Sequence, residues 1–252
     1  STGSGRLLPP FSASGVSVNS DVSLQKRIIG GYDCHHTERL YHVRLESKNG
    51  THMKRCGGSL IHPEWILTAA RCWKSQTNRA MVKVHPRTVI QYIQVIQQAP
   101  VIYNDNNQYH DIMLLKLQRP VTDVPLAQLP DCSYRLQKGD VVQLAGEAAT
   151  TAGPNNERCE RNIEFMRIKS LFLSLQRRLS EGQNNDALVS LQYLQLLFHH
   201  NFSCDTGGAV VHSTMIYGLI SVGQPDYACQ RPTAALDVCE YLGWIKQITG
   251  IQ

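Results

Sequence analysis

The feature that most narrows the fold is a succession of short apolar runs rich in β-forming residues. They fall at 40–45, 81–84, 89–95, 112–117, 141–144, 209–211 and 215–222, with turn-forming residues between them. Runs of this length suit strands better than helices. Many short strands with little helix lead to a barrel or a sandwich. Three stretches break the pattern. Residues 163–179 (IEFMRIKSLFLSLQRRL) and 187–200 (ALVSLQYLQLLFHH) are Leu-rich, lack turn signals and are candidates for helix. Residues 241–248 (YLGWIKQI) predict a terminal amphipathic helix, because Leu242, Ile245 and Ile248 recur at helical spacing.

A chain of 252 residues is long enough to bury a substantial core in one large domain or two small ones. Residues 1–27 are rich in Ser, Gly and Pro and read as a flexible leader that ends in the dibasic pair Lys26-Arg27. Eight cysteines are spread along the chain without any C-x-x-C pair. That pattern argues against a zinc ribbon or a thioredoxin motif and favours paired disulfides in an oxidising compartment. Two sequons, at Asn49 and Asn201, agree with a secreted glycoprotein. No apolar run approaches the roughly 20 residues of a membrane helix, so no membrane partner is expected. The net charge of +5 is mildly basic. It predicts no nucleic-acid partner and leaves a polyanion such as heparin as an alternative ligand. No metal site and no cofactor are read from the sequence.

Five motifs in order then carry a family resemblance: IIGGYDC (28–34), CGGSLIHPEWILTAARC (56–72), HDIMLLKL (110–117), CDTGGAVV (204–211) and a closing segment from ISVGQ to LGWIKQI (220–248). Together they resemble the trypsin-like (chymotrypsin-fold) serine proteases over residues 28–252. The resemblance implies an all-β fold of two antiparallel six-stranded barrels, roughly 28–130 and 131–252, with a C-terminal helix. It also implies four disulfides, Cys34–Cys159, Cys56–Cys72, Cys132–Cys239 and Cys204–Cys229. A further bridge common in trypsins has Val142 and His212 at its two positions. Cleavage after Arg27 would free the amino group of Ile28 to pair with Asp205.

The same resemblance places Arg71, Asp111 and Thr206 at the positions of the catalytic base, orienting carboxylate and nucleophile. Acyl transfer needs a base that accepts the hydroxyl proton, a carboxylate that orients the base, and donors for the oxyanion. Asp111 is retained. Arg71 is not a base, because a guanidinium stays charged and has no lone pair to offer. His110, beside Asp111, is expected to face away, since successive strand residues point to opposite sides. Thr206 is a possible nucleophile only with a base at hand. Cys204 directly precedes Asp205, so either two residues of the oxyanion loop are deleted, including a donor glycine, or a cysteine replaces that glycine. Losing one oxyanion donor costs about 100- to 1000-fold in rate.

The specificity pocket departs as well. No acidic residue precedes Cys204 in HHNFSC, Val222 stands in place of Trp, Thr233 in place of Gly, and Glu147-Ala148 in place of Trp-Gly. The reading is a secreted, non-catalytic serine protease homologue that acts by binding another protein. Residues 160–203, with Arg167, Lys169, Arg177 and Arg178, are the favoured partner surface. The alternatives are a heparin-binding defence-type protein and a serine-type endopeptidase with altered chemistry.

Overall fold

In the computed structural model the apolar runs become strands. It describes residues 32–49, 52–74, 77–86, 89–105, 108–137, 140–148, 167–174, 176–177, 188–191, 206–221 and 233–252. The first strands are β1 (Tyr32–Asp33), β2 (His42–Asn49), β3 (His52–His62), β4 (Trp65–Thr68) and β5 (Thr77–Val82). Then come β6 (Tyr92–Ile96), β7 (Val101–Asp105), β8 (Gln108–Lys116), β9 (Val141–Ala148) and β10 (Arg167–Ser174). The last are β11 (Gln176–Arg177), β12 (Leu188–Leu191), β13 (Ala209–His212), β14 (Met215–Ser221) and β15 (Thr233–Asp237). A 3-10 turn, Val238–Tyr241, leads into the helix α1 (Leu242–Thr249).

These strands form two antiparallel sheets, ordered β6-β5-β2-β3-β4-β8-β7 and β1-β10-β9-β13-β14-β15-β12-β11. The expected all-β fold in two antiparallel units with a C-terminal helix is present, and what differs, among the described residues, is the closure and strand number of the expected six-stranded barrels. One sheet has seven strands and the other eight, and among the described residues neither closes into a ring. Closure requires the two edge strands to meet with a matched stagger, and here the pairings end at β6 and β7 and at β1 and β11. The second sheet is larger because β1 and the strands of the 160–203 region all join it.

Those strands replace the expected helix in the described parts of 163–179 and 187–200, namely 167–174, 176–177 and 188–191. Strand β10 pairs with β9 over eight residues, from Arg167↔Ala148 to Ser174↔Val141. Strand β12 pairs with β15 from Leu188↔Leu236 to Leu191↔Thr233. Leucine is tolerated in both helix and strand, so a Leu-rich run takes whichever partner the tertiary fold provides.

The predicted terminal helix is present. Ile245 is fully buried, while Leu242 and Ile248 are half-buried, so the apolar stripe faces the protein. Gly250 ends α1 in the left-handed region (φ 75°), and its N–H caps the Lys246 carbonyl.

The largest fully buried side chains are Leu60, Ile66, Leu67, Leu117 and the Ile112–Leu115 run of β8, with Ile216 and Leu219 from the second sheet. Each contributes about 2 kcal/mol of burial. Strand β8 is buried continuously from His110 to Leu115, where a strand with one solvated face would alternate. The core is thus continuous across β8, β14 and α1, and this join fixes what lies beside Asp111.

Two disulfides follow the expected pairing. Cys56–Cys72 ties β3 to the 3-10 turn Ala70–Cys72, and Cys132–Cys239 ties the inter-sheet connection to the turn before α1. Cys34 is buried, and its expected partner Cys159 lies outside the described residues. So do Cys204 and Cys229.

Candidate functional site

The seam between the sheets is assembled from three local elements. Strand β4 ends at Thr68, and the chain turns through Ala70–Cys72, where the Cys56–Cys72 bridge pins it. This turn carries Arg71. Strand β8 brings Asp111 under it. The end of β14 brings Ser221 from the other sheet.

Asp111 accepts three donors. The Arg71 backbone N–H lies 2.8 Å from Oδ1, and the Ser221 hydroxyl lies 2.6 Å from Oδ2. The Arg71 Nε lies 2.5 Å from the same Oδ2. The carboxylate side chain is 10% exposed and the Arg71 side chain 40%. Arg71 and Asp111 therefore form an ion pair of which only the acidic half is buried. Ser221 was not read as a site residue from the sequence. Its position in ISVGQ, the start of the closing motif, was the available signal.

Arg71 Nε holds the carboxylate, and a guanidinium has no lone pair to take a hydroxyl proton. His110 is turned elsewhere. Its Nδ1 lies 2.9 Å from the Tyr241 hydroxyl, and its ring meets the edge of Tyr103 at 4.9 Å. As the strand alternation predicts, it faces β7 and the 3-10 turn before α1 and leaves Asp111 to the seam.

Thr206 is 2% exposed. Its carbonyl accepts the Gly57 N–H at 2.8 Å, and the next residue, Gly207, donates to the Ile220 carbonyl at 2.7 Å. Gly207 has φ +83°, and a Cβ there would come within 2.3 Å of Thr68 Oγ1 and 2.5 Å of the Gly57 carbonyl. Only glycine fits where the two backbones approach this closely. The Thr206–Gly207 turn is thus seated on β3 and the end of β4.

Lys54 lies beside Arg71. Lys54 Nζ donates to the Arg71 carbonyl at 3.0 Å. Burial, then the nearby charges of Lys74 and Arg71, pull the Lys54 ammonium below the ordinary lysine range, while Asp111 opposes them. Burial and the Asp111 carboxylate push the Tyr109 phenol up, although Tyr109 is largely exposed.

Val142 is fully buried. His212 donates from Nδ1 to the Val141 carbonyl at 2.9 Å and stacks on Tyr134. Among the described residues no group of three or more His, Cys, Asp or Glu side chains converges for a metal. Arg27, Ile28, Asn201, Asp205, Val222 and Arg178 lie outside the described residues. Strand positions are described for Asn49, Glu147, Ala148, Arg167, Lys169, Arg177 and Thr233.

The fold and the seam define a two-sheet protease-type architecture, and comparison with known proteins gives the family. The family model for trypsin matches residues 28–245. Serine protease 1 of the dog, Canis lupus familiaris, is 29% identical over 247 residues, covering 92% of this chain and 94% of the relative. Trypsin of the pig, Sus scrofa, is 29% identical over 239 residues, covering 88% and 95%. Cationic trypsin-3 of the rat, Rattus norvegicus, is 30% identical over 234 residues, covering 88% and 89%. A solved structure described as "Structure of GrC" superposes with a TM-score of 0.70 at 23% identity, covering 88% of this chain and 99% of its own. The chain belongs to the trypsin family.

Proposed function

We propose that this chain is a secreted, non-catalytic trypsin-family protein that works by binding another protein. The observation that carries the reading is the Arg71–Asp111 pair at 2.5 Å. The carboxylate that should orient a base is occupied by a group that cannot accept a proton. The burial of Thr206 adds to it, because a nucleophile must meet its substrate. Disulfides and the sequons at Asn49 and Asn201 support the extracellular setting.

Processing after Arg27, with Ile28 pairing to Asp205, completes the proposal as a conformational step without catalysis. The binding surface would be formed by loops on the rigid sheets, including residues 160–203.

The test is restoration. Arg71→His combined with Thr206→Ser, cleaved after Arg27, should remain inactive on peptide substrates and unlabelled by a fluorophosphonate probe. The altered oxyanion loop and pocket are separate requirements. Turnover or labelling at Thr206 in the unaltered chain would overturn the non-catalytic reading. Turnover by the double variant alone would show that the loop and pocket retained their competence.

A further inference from the structure

A second surface is built from the larger sheet and uses none of the seam's residues. Its centre is Tyr134, in the connection from β8 to β9. The phenol hydroxyl donates to Asp140 Oδ2 at 2.7 Å. The ring stacks on His212 of β13, with centroids 5.9 Å apart and planes 15° from parallel. Tyr217 of β14 stands at right angles to both rings, 6.4 Å from Tyr134 and 5.8 Å from His212. Those three separations form a nearly equilateral triangle, so Tyr217 lies beside the stack and not on the outer face of Tyr134. His212 covers one face of the phenol, and the 43% exposure of Tyr134 therefore belongs to the other.

The platform is held in place from below. His212 Nδ1 donates to the Val141 carbonyl at 2.9 Å, and Tyr217, only 3% exposed, donates from its hydroxyl to the Asp131 carbonyl at 3.4 Å. An exposed aromatic fixed at its ring and its hydroxyl loses little freedom when it is covered. Val141, 53% exposed, extends the apolar surface next to Asp140.

The charge beside this face is negative. Asp140 Oδ2 takes both the Tyr134 hydroxyl and the Gln137 N–H, each at 2.7 Å, whereas Oδ1 takes no donor among the described residues. Partial burial raises the Asp140 carboxyl, but the Gln137 amide, the Tyr134 hydroxyl and nearby His212 together leave it below its ordinary range, so it is ionised at neutral pH. The adjacent cation does not neutralise it, because Arg135 is bound to Asp237 and Glu240.

An open aromatic face with a carboxylate fixed at its rim selects a flat cation. A guanidinium lies on a ring and extends its N–H fork to an oxygen at the edge, and an ammonium is a hydrated point charge that does this less well. We propose that Tyr134, Asp140 and His212 form a docking surface for an arginine side chain of a partner protein. The guanidinium rests on the outer face of Tyr134 and donates to Asp140 Oδ1, and Val141 meets the aliphatic stem. This goes beyond the non-catalytic reading, since a chain that cleaves peptides could carry the same surface.

The experiment is an NMR titration of the full chain with acetyl-arginine methylamide, its lysine counterpart and its neutral citrulline counterpart, read at the ring signals of Tyr134 and His212. It is repeated on Asp140→Asn, which keeps an acceptor for Tyr134 and Gln137, and on Tyr134→Leu, read at His212. The arginine probe should shift these signals saturably, the lysine probe should bind about threefold more weakly, and the citrulline probe should leave them unmoved. Affinity for arginine should fall about threefold in Asp140→Asn and about fivefold in Tyr134→Leu. If Tyr134→Leu does not fold, the surface Asp140→Asn substitution decides.

No saturable shift with arginine, or undiminished affinity in Asp140→Asn, overturns the surface. So does an arginine probe that moves only signals of the seam, such as those of Thr206 and Ser221. Equal binding of citrulline overturns the role of charge, and equal binding of lysine overturns the choice of a guanidinium.

Discussion

Two Arg–Asp pairs in this protein have nearly the same burial and do different work. In both, the aspartate side chain is 10% exposed. Arg71 is 40% exposed and Arg135 is 32%. Asp237 belongs to a local knot: it caps the turn by accepting the Cys239 N–H at 3.0 Å, beside the Cys132–Cys239 bridge. Arg135 also reaches Glu240 in the same turn. Asp111 instead gathers donors from an adjacent turn and from the other sheet, 40 and 110 residues away in sequence. One pair reinforces a covalent link, and the other is part of a non-covalent joint. Exposure alone would have ranked them as equals.

The comparison can be broken most forcefully at the covalent link. Replacing Cys132 and Cys239 together with alanine frees a separation of 107 residues and should cost about 4 kcal/mol in urea unfolding. If the knot is a unit, Arg135→Ala should cost more on that background than in the intact protein. Equal costs would make the bridge and the ion pair independent.

A smaller effect separates the two arginines. Arg71→Ala should cost about 1–2 kcal/mol, less than for a fully buried pair, because the guanidinium is partly solvated and Ser221 and the Arg71 amide still hold Asp111. Arg135→Ala should cost under about 1 kcal/mol with the disulfide intact. Melting temperatures check both, and a larger loss at Arg135 would reverse the contrast.

The smallest effect lies at Lys54. The Lys54 ammonium is held below its ordinary range, so the unfolded chain binds this proton more readily than the folded one. Stability from this group rises with pH through the window between its lowered folded value and the ordinary lysine value. Lys54→Gln should therefore raise the melting temperature slightly at neutral pH, and the gain should shrink as pH climbs through that alkaline window. A gain independent of pH would mean that charge is not the cause.

Much of the site was legible because it lies in contiguous motifs. Arg71 stands in TAARC and Thr206 in CDTGG, and their chemistry can be judged without coordinates. The Cys56–Cys72 and Cys132–Cys239 bridges and the turn of His110 away from Asp111 toward Tyr241 were legible too. Ser221 was less so, because a serine near a strand end is unremarkable until the opposite sheet brings it 2.6 Å from Asp111. The Leu-rich stretches misled for a related reason. Their residues suit either period, and only pairing with β9 and β15 made residues 167–174 and 188–191 strands.

The sequence by itself determined the family, the antiparallel β architecture with its terminal helix, and the absence of a proton acceptor at Arg71. These rest on residue identity and local periodicity, which do not depend on where the chain goes next. Only the tertiary structure decided that the sheets stay open among the described residues, that Thr206 is buried, and that Arg71 and Ser221 meet on one carboxylate. The physical reason is range. Such features come from groups many residues apart brought within a few ångströms, and their energies depend on burial and the direction of approach.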